Sequence, residues 1–239
     1  MKILALDSSG LVASVAVVED DVLQAEYTIC HKKTHSQTLL PMLDEIRKNI
    51  ELDMSTIDAI AVSAGPGSFT GLRIGSATAK GMGLALNKPL IAVPTLAAMA
   101  YNFYNTKGLI CPIMDARRSQ VYTGIYRFEE GQLLTVRDQD AMGIDELIEE
   151  LNALGEPALF LGDGVPVFKE TIEAQAKVAV DFAPVHLNKQ KAGAVAALGA
   201  VYYKEGKTES ASEHRPEYLR VSQAERERAE RLKKEQGKE

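Results

Sequence analysis

Three polar clusters in this sequence have residue types that could do chemistry. The first is a set of carboxylates at the ends of apolar runs. Asp7-Ser8-Ser9 closes one run, Asp115-Ala116-Arg117-Arg118 closes another, and Asp163 stands between Gly162 and Gly164. A carboxylate with hydroxyls at a strand end can hold magnesium and nucleotide phosphate. The same groups can instead bond the amides of their own turns. The second cluster is Cys30-His31-Lys32-Lys33-Thr34-His35. His31 and His35 have the i, i+4 spacing of a helical metal site, but the glutamate of H-E-x-x-H is missing and two lysines would repel a cation. No metal is assigned there, and His35 reads as a polar group at a helix start. The third is SAGPGSFTGLRIG over residues 63–75. It lacks the lysine of a phosphate-cradling loop, since Leu72 takes that place, and Thr70 stands where a dinucleotide fingerprint needs glycine. The scattered histidines 31, 35, 186 and 214 give no Ser–His–Asp order.

Hydropathy shows what must position these groups. Residues 2–7, 12–19 and 22–29 read as strands joined by tight turns. A helix over 36–50 follows, with Leu39, Met42, Leu43, Ile46 and Ile50 on one stripe and Pro41 in its first turn or at a bend. Then come a buried strand (57–65), a helix (70–86) with Thr70 as its N-cap, a strand (88–94) and a helix (95–104). The order restarts with strands at 109–116, 119–128 and 132–136, a helix at 144–154, a strand at 158–164 and a helix at 192–206. Two halves, each strand-strand-strand-helix-strand-helix, imply a duplicated α/β unit. The boundary falls near 103–108, giving an N-terminal lobe (1–104), a C-terminal lobe (105–213) and a charged tail (214–239). In that tail Glu227 with Arg231, and Glu230 with Lys234, have helical pairing spacing, and the segment reads as solvated.

One helix carries a bare stripe. Gly71, Gly75, Ala79 and Gly83 recur every four residues. Each interior glycine costs roughly 0.8–1 kcal/mol against alanine, so close approach of another backbone is expected. That backbone is either the chain's own sheet or neighbouring helix, or a helix of another subunit.

The totals exclude several classes. With 239 residues, 46% apolar and 25% charged, the chain is long enough for a sizeable core. Its net charge of −6 argues against gripping nucleic acid unaided, so tRNA would be met only through a complex. Cys30 and Cys111 are too few for a disulfide framework and fit a reducing compartment. The opening MKILALD is too short for a signal peptide, and no apolar run approaches the ~20 residues of a membrane span. A cytoplasmic protein is expected.

ILALDSS (3–9), HSQTLLPML (35–43), GPGSFTGLRIG (65–75), MDARRSQVY (114–122) and RPEYLR (215–220) occur in that order. Together they resemble the bacterial TsaB (YeaZ-like) family, dimerisation subunits of the complex that forms threonylcarbamoyladenosine in tRNA. The resemblance runs from residue 3 to about 220. It implies an α/β actin-like, sugar-kinase-like ATPase (ASKHA) fold of two related lobes. It also implies a non-catalytic scaffold that pairs with the catalytic paralogue TsaD, joins the ATPase subunit TsaE, and pairs with itself when TsaD is absent. In TsaD-type chains a segment N-H-L-E-G-H holds a metal through its histidines. Here Thr95 and Met99 stand at those places, which implies that the scaffold is kept without the metal chemistry.

By the same resemblance, the two helices after His35 and after the glycine loop form the partner interface. Its residues would be His35, Leu39, Met42, Leu43 and Ile46 with Gly71, Leu72, Gly75 and Ala79. A bulky residue at Gly75 is then expected to weaken association more than folding. Asp7, Ser8, Ser9 and Asp115 remain the candidates for a nucleotide, with ATP and magnesium otherwise belonging to the assembled complex. The rival reading is an independent ATP-dependent phosphotransferase or hydrolase using those four residues.

Overall fold

A computed structural model describes residues 1–31 and 34–220. Lys32, Lys33 and the Glu–Arg and Glu–Lys pairs of the tail lie outside the described residues. The first half runs β1 (Lys2–Asp7), β2 (Val12–Glu19), β3 (Val22–Cys30), α1 (His35–Asn49), β4 (Ala59–Gly65), α2 (Phe69–Leu86), β5 (Leu90–Pro94) and α3 (Thr95–Tyr101). The second runs β6 (Leu109–Arg117), β7 (Gln120–Glu129), β8 (Gln132–Gly143), α4 (Ile144–Leu154), β9 (Ala158–Leu161), α5 (Val165–Gln175), β10 (Val180–Phe182) and α6 (Ala192–Lys204). Each half builds a five-stranded sheet with the same order, β3-β2-β1-β4-β5 and β8-β7-β6-β9-β10. The first three strands of each half are antiparallel, and the later ones join in parallel.

The second half therefore has the same eight elements as the first, two more than its periodicity suggests. The missed pair is α5 and β10. Only Phe168 and Ile172 of α5 are buried, Pro166 sits at its first turn, and β10 is three residues long, so neither leaves a strong periodic signal. Other boundaries also move. Ser68, not Thr70, caps α2 by accepting the Gly71 amide at 3.3 Å. Helix α3 stops at Tyr101 rather than 104, and β8 continues to Gly143. Pro41 lies inside α1, in its second turn.

The two halves interlock through their last helices. Leu4, Leu6, Val15, Ile60 and Val62 face α1 and α2 on one side of the first sheet. Their alternating neighbours Ile3, Ala5, Ala16, Ala59 and Ala61 face the opposite way, into a cluster holding α6. Helix α3, made by the first half, packs on β6 and β7 of the second sheet as well as on β4 and β5 of its own. Ile110, Met114, Tyr126 and Leu161 of that sheet join the same cluster. Helices α3 and α6 thus form a shared middle layer, while α4 and α5 cover the far face of the second sheet.

The bare stripe of α2 has its explanation within the chain. Side chains at Gly71 and Gly67 would overlap the carbonyl oxygens of Ser8 and Ser9, and a Cβ on Gly75 would lie 2.5 Å from Ser8 Oγ. The Ser8 hydroxyl donates to the Gly71 carbonyl at 2.8 Å. The loop after β1 therefore lies directly on the helix. The expected partner interface is corrected accordingly. Leu39, Met42, Leu43, Ile46, Leu72 and Ala79 are no more than 6% exposed, and Gly71 and Gly75 are buried. An apolar stripe at helical spacing must be covered, and the chain's own sheet covers it.

These contacts predict opposite outcomes at two glycines of one helix. Gly75→Ala forces its methyl against Ser8 and should destabilise by about 1–3 kcal/mol. Gly81→Ala meets nothing within 4 Å and should raise the midpoint by about 2–4 °C through helix propensity. Thermal unfolding of the two variants beside wild type checks both signs.

Candidate functional site

Loops at the carboxyl ends of β1, β4, β6 and β9 meet between the lobes, where open α/β sheets place ligands. They enclose a cleft of about 660 Å³ whose lining includes Ser9, His35, Ser68, Asp115, Arg117 and Asp163. Asp7 Oδ1 accepts from the Ser9 amide (2.9 Å) and hydroxyl (2.8 Å), and Oδ2 accepts from the Ser63 hydroxyl. Burial pushes the Asp7 carboxyl above the ordinary range against those hydrogen bonds. Across the cleft, Asp115 Oδ1 accepts from the Arg117 amide at 2.8 Å, and the Asp115 amide donates to Asp163 Oδ1 at 3.2 Å. Burial raises the Asp163 carboxyl as well.

Magnesium-bound ATP needs carboxylate oxygens open to the cation and amides open to the phosphates. Here the Ser68 amide is spent on the Ser9 carbonyl at 2.6 Å, and the Gly71 amide on the Ser68 hydroxyl. Asp7 is 1% exposed with both oxygens engaged, and Ser8 and Ser9 turn inward. Of the four nucleotide candidates Ser9 and Asp115 border the cleft, and Ser9 is itself fully buried. As placed here, Asp7, Ser8 and Ser9 offer magnesium-bound ATP no open carboxylate or hydroxyl.

His35 begins α1 but points at the first loop, donating through Nε2 to the Gly10 carbonyl at 2.8 Å. Its Nδ1 is buried without a hydrogen-bond partner among the described residues. Cys30 and His31 are exposed at the end of β3. Among the described residues no three His, Cys, Asp or Glu side chains converge as a metal would require. Thr95 and Met99 are at most 1% exposed, deep in the cluster between the sheets.

With the inner faces of α1 and α2 consumed, their outer faces stand out. Leu40 is 55% and Leu84 68% exposed, and Pro41, Ala77 and Gly81 are exposed beside them. Ala77, Gly81 and Leu84 share one stripe of α2, and α1 packs alongside α2. Periodicity alone could not find this face, because two apolar stripes on one helix look alike until the sheet chooses between them.

The cleft rim holds two further features. The β6–β7 turn places Arg117, Arg118 and Ser119 at φ of 67°, 57° and 56°. Left-handed backbone costs roughly 1–2 kcal/mol per non-glycine residue, yet arginines occupy it where Asn-Gly would be the ordinary choice. The RPEYLR segment forms a strap across both lobes. Its Glu217 amide donates to the Ala64 carbonyl at 2.7 Å, and Arg220 Nη1 donates to the Ala116 carbonyl at 2.7 Å. Gln139 Nε2 donates to Glu217 Oε2 at 2.6 Å.

Comparison with known proteins follows the same lines. A model of the TsaD family, tRNA N6-adenosine threonylcarbamoyltransferase, matches residues 28–228. The tRNA threonylcarbamoyladenosine biosynthesis protein TsaB of Bacillus subtilis (strain 168) is 36% identical over 94% of this chain and 96% of its own length. A crystal structure from Pseudomonas aeruginosa, described as similar to the peptidase YeaZ, superposes with a TM-score of 0.80 at 28% identity, covering 92% of this chain and 99% of that one. The polyphosphate/ATP-glucomannokinase of Arthrobacter sp. strain KM, at 11% identity and a TM-score of 0.50 over 86% of this chain and 99% of its own, shares the fold alone. No helix among the described residues is long and apolar enough to cross a membrane. Two sugar-kinase-like lobes, a match to TsaD models along most of the chain and close likeness to TsaB proteins lead to one assignment: the chain belongs to the TsaB family of tRNA threonylcarbamoyladenosine biosynthesis proteins.

Proposed function

We propose that this chain is a non-catalytic subunit in the formation of threonylcarbamoyladenosine in tRNA, and that it acts by offering the outer face of α1 and α2 to a TsaD-type catalytic paralogue. The observation that carries this is the exposure of Leu40 on α1 and of the stripe Ala77, Gly81 and Leu84 on α2, two helices otherwise sealed to their own sheet. A paralogue of the same fold would present an equivalent helix pair, so the two could pack about a pseudo-twofold axis as homologous subunits commonly do. The small side chains of Ala77 and Gly81 would let helix backbones come close. Self-pairing of the chain would use the same face, and the ATPase subunit TsaE belongs to the larger assembly. Support for a non-catalytic role comes from Asp7, whose two oxygens are buried and engaged by its own chain, and from Thr95 and Met99, which are buried.

Leu40→Asp with Leu84→Asp puts charge on the outer face without touching the core. The double variant should keep its melting midpoint within about 2–4 °C and lose at least about tenfold in affinity for the paralogue. Gel filtration with the paralogue, and mass analysis of tRNA nucleosides from cells relying on the variant, read the result. Wild-type association by the double variant would overturn the interface.

The rival, an independent ATP-dependent enzyme, makes the contrary prediction for Asp7→Ala. On our reading that change leaves buried hydroxyl and amide donors unsatisfied, costs about 1–3 kcal/mol of stability, and alters no ATP turnover because the chain alone has none. Sustained hydrolysis by the purified chain with magnesium and ATP, abolished in Asp7→Ala, would establish the rival instead.

A further inference from the structure

An arginine and aromatic ridge crosses the mouth of the cleft. It begins on α2, where the Arg73 guanidinium lies 4.1 Å from the centroid of the Phe69 ring. Phe69 in turn meets Tyr218 of the strap, with centroids 4.7 Å apart and planes at 37°. Two residues on, Arg220 is fixed to the Ala116 carbonyl. That carbonyl adjoins the hairpin tip, where Arg117 is 86% exposed and Arg118 is exposed beside it. Two acids lie along it: Glu217, which accepts from Gln139, and Asp115, which accepts from the Arg117 amide and lies 3.7 Å from the Arg117 guanidinium.

From this geometry we infer that Tyr218, Arg220, Arg117 and Arg118, with Phe69 backing the tyrosine ring, form a contact surface for unpaired RNA. Tyr218, 39% exposed, offers a ring on which a base can stack, and such stacking accepts any base because every base has a π-face. Arginines on either side suit phosphates, since guanidinium forks bind them bidentately and also lie flat on rings. The chain's net charge of −6 does not remove the local excess of arginine over acid along this ridge. The hairpin tip supports the reading, because arginines are held there in left-handed backbone that glycine would adopt without strain. A protein partner with an acidic surface would use the charges and leave the stacked rings without a role. The inference rests on the proposed work on tRNA, and it adds that this subunit touches the RNA itself.

The test uses the full chain, alone and bound to its paralogue, with a labelled hairpin RNA that has an unpaired loop and a fully paired RNA of the same length. Arg117→Gln with Arg118→Gln should weaken hairpin binding about tenfold and lower the salt slope by about two. Tyr218→Ala should cost about fivefold or more on the hairpin and little on the paired RNA, while Tyr218→Phe should bind as wild type. Lys169→Gln, which removes a cation over the Phe182 ring on the far face of the second sheet, should change nothing. Thermal unfolding and association with the paralogue are read for every variant, so failure of the proposed subunit role shows separately as wild type that does not associate. Undiminished hairpin binding by the arginine and Tyr218→Ala variants would overturn the inference. So would absence of RNA binding in both contexts, or loss of paralogue association in place of RNA binding.

Discussion

The placement of one loop against one helix governs much of this molecule. The carbonyls of Ser8 and Ser9 lie where side chains at Gly71 and Gly67 would have to be. That approach is what the glycines are for. Once it is made, the Ser9 carbonyl consumes the Ser68 amide, and the Ser9 amide and hydroxyl consume Asp7. A loop that could have received phosphate becomes a joint. The cost of glycine within a helix is offset by burial on both sides of the joint, and the helix is left with one face to spare.

That spare face and the cleft divide the molecule's labour. In the shared fold the crevice between lobes is the natural place for a ligand, but here its inner wall is hydrogen-bonded to itself. The exterior is less self-sufficient. Leu40 and Leu84 are large, apolar and open to water on two helices that pack side by side. Family membership and this surface point the same way.

Much of the fold was legible in the sequence because its signals are local. Strands such as Lys2–Asp7 and Val12–Glu19 are unbroken apolar runs, and turns such as Asp20-Asp21 and Glu130-Gly131 have the positive φ that two-residue hairpins require. The duplication was visible for the same reason, though short β10 and weakly amphipathic α5 hid part of it. The site was less legible. Leu39, Met42, Leu43 and Ile46 form a clear stripe, but periodicity gives a face without saying whether sheet or partner covers it. The role of RPEYLR was invisible because its contacts with Ala64, Phe69 and Ala116 span more than a hundred residues of chain. The exchange of α3 and α6 left no local trace at all.

That exchange affects the order in which the molecule can be completed. The N-terminal sheet is made early in synthesis, yet the cover for Ile3, Ala5 and Ala16 arrives only with Ala192–Lys204. Until α6 is made, the inner face of the first sheet lacks that cover, so the first half closes fully only once α6 is released. Domains usually fold as units in order of appearance. Here the ends must wait for each other, which makes a prematurely terminated chain a fragment with no finished half.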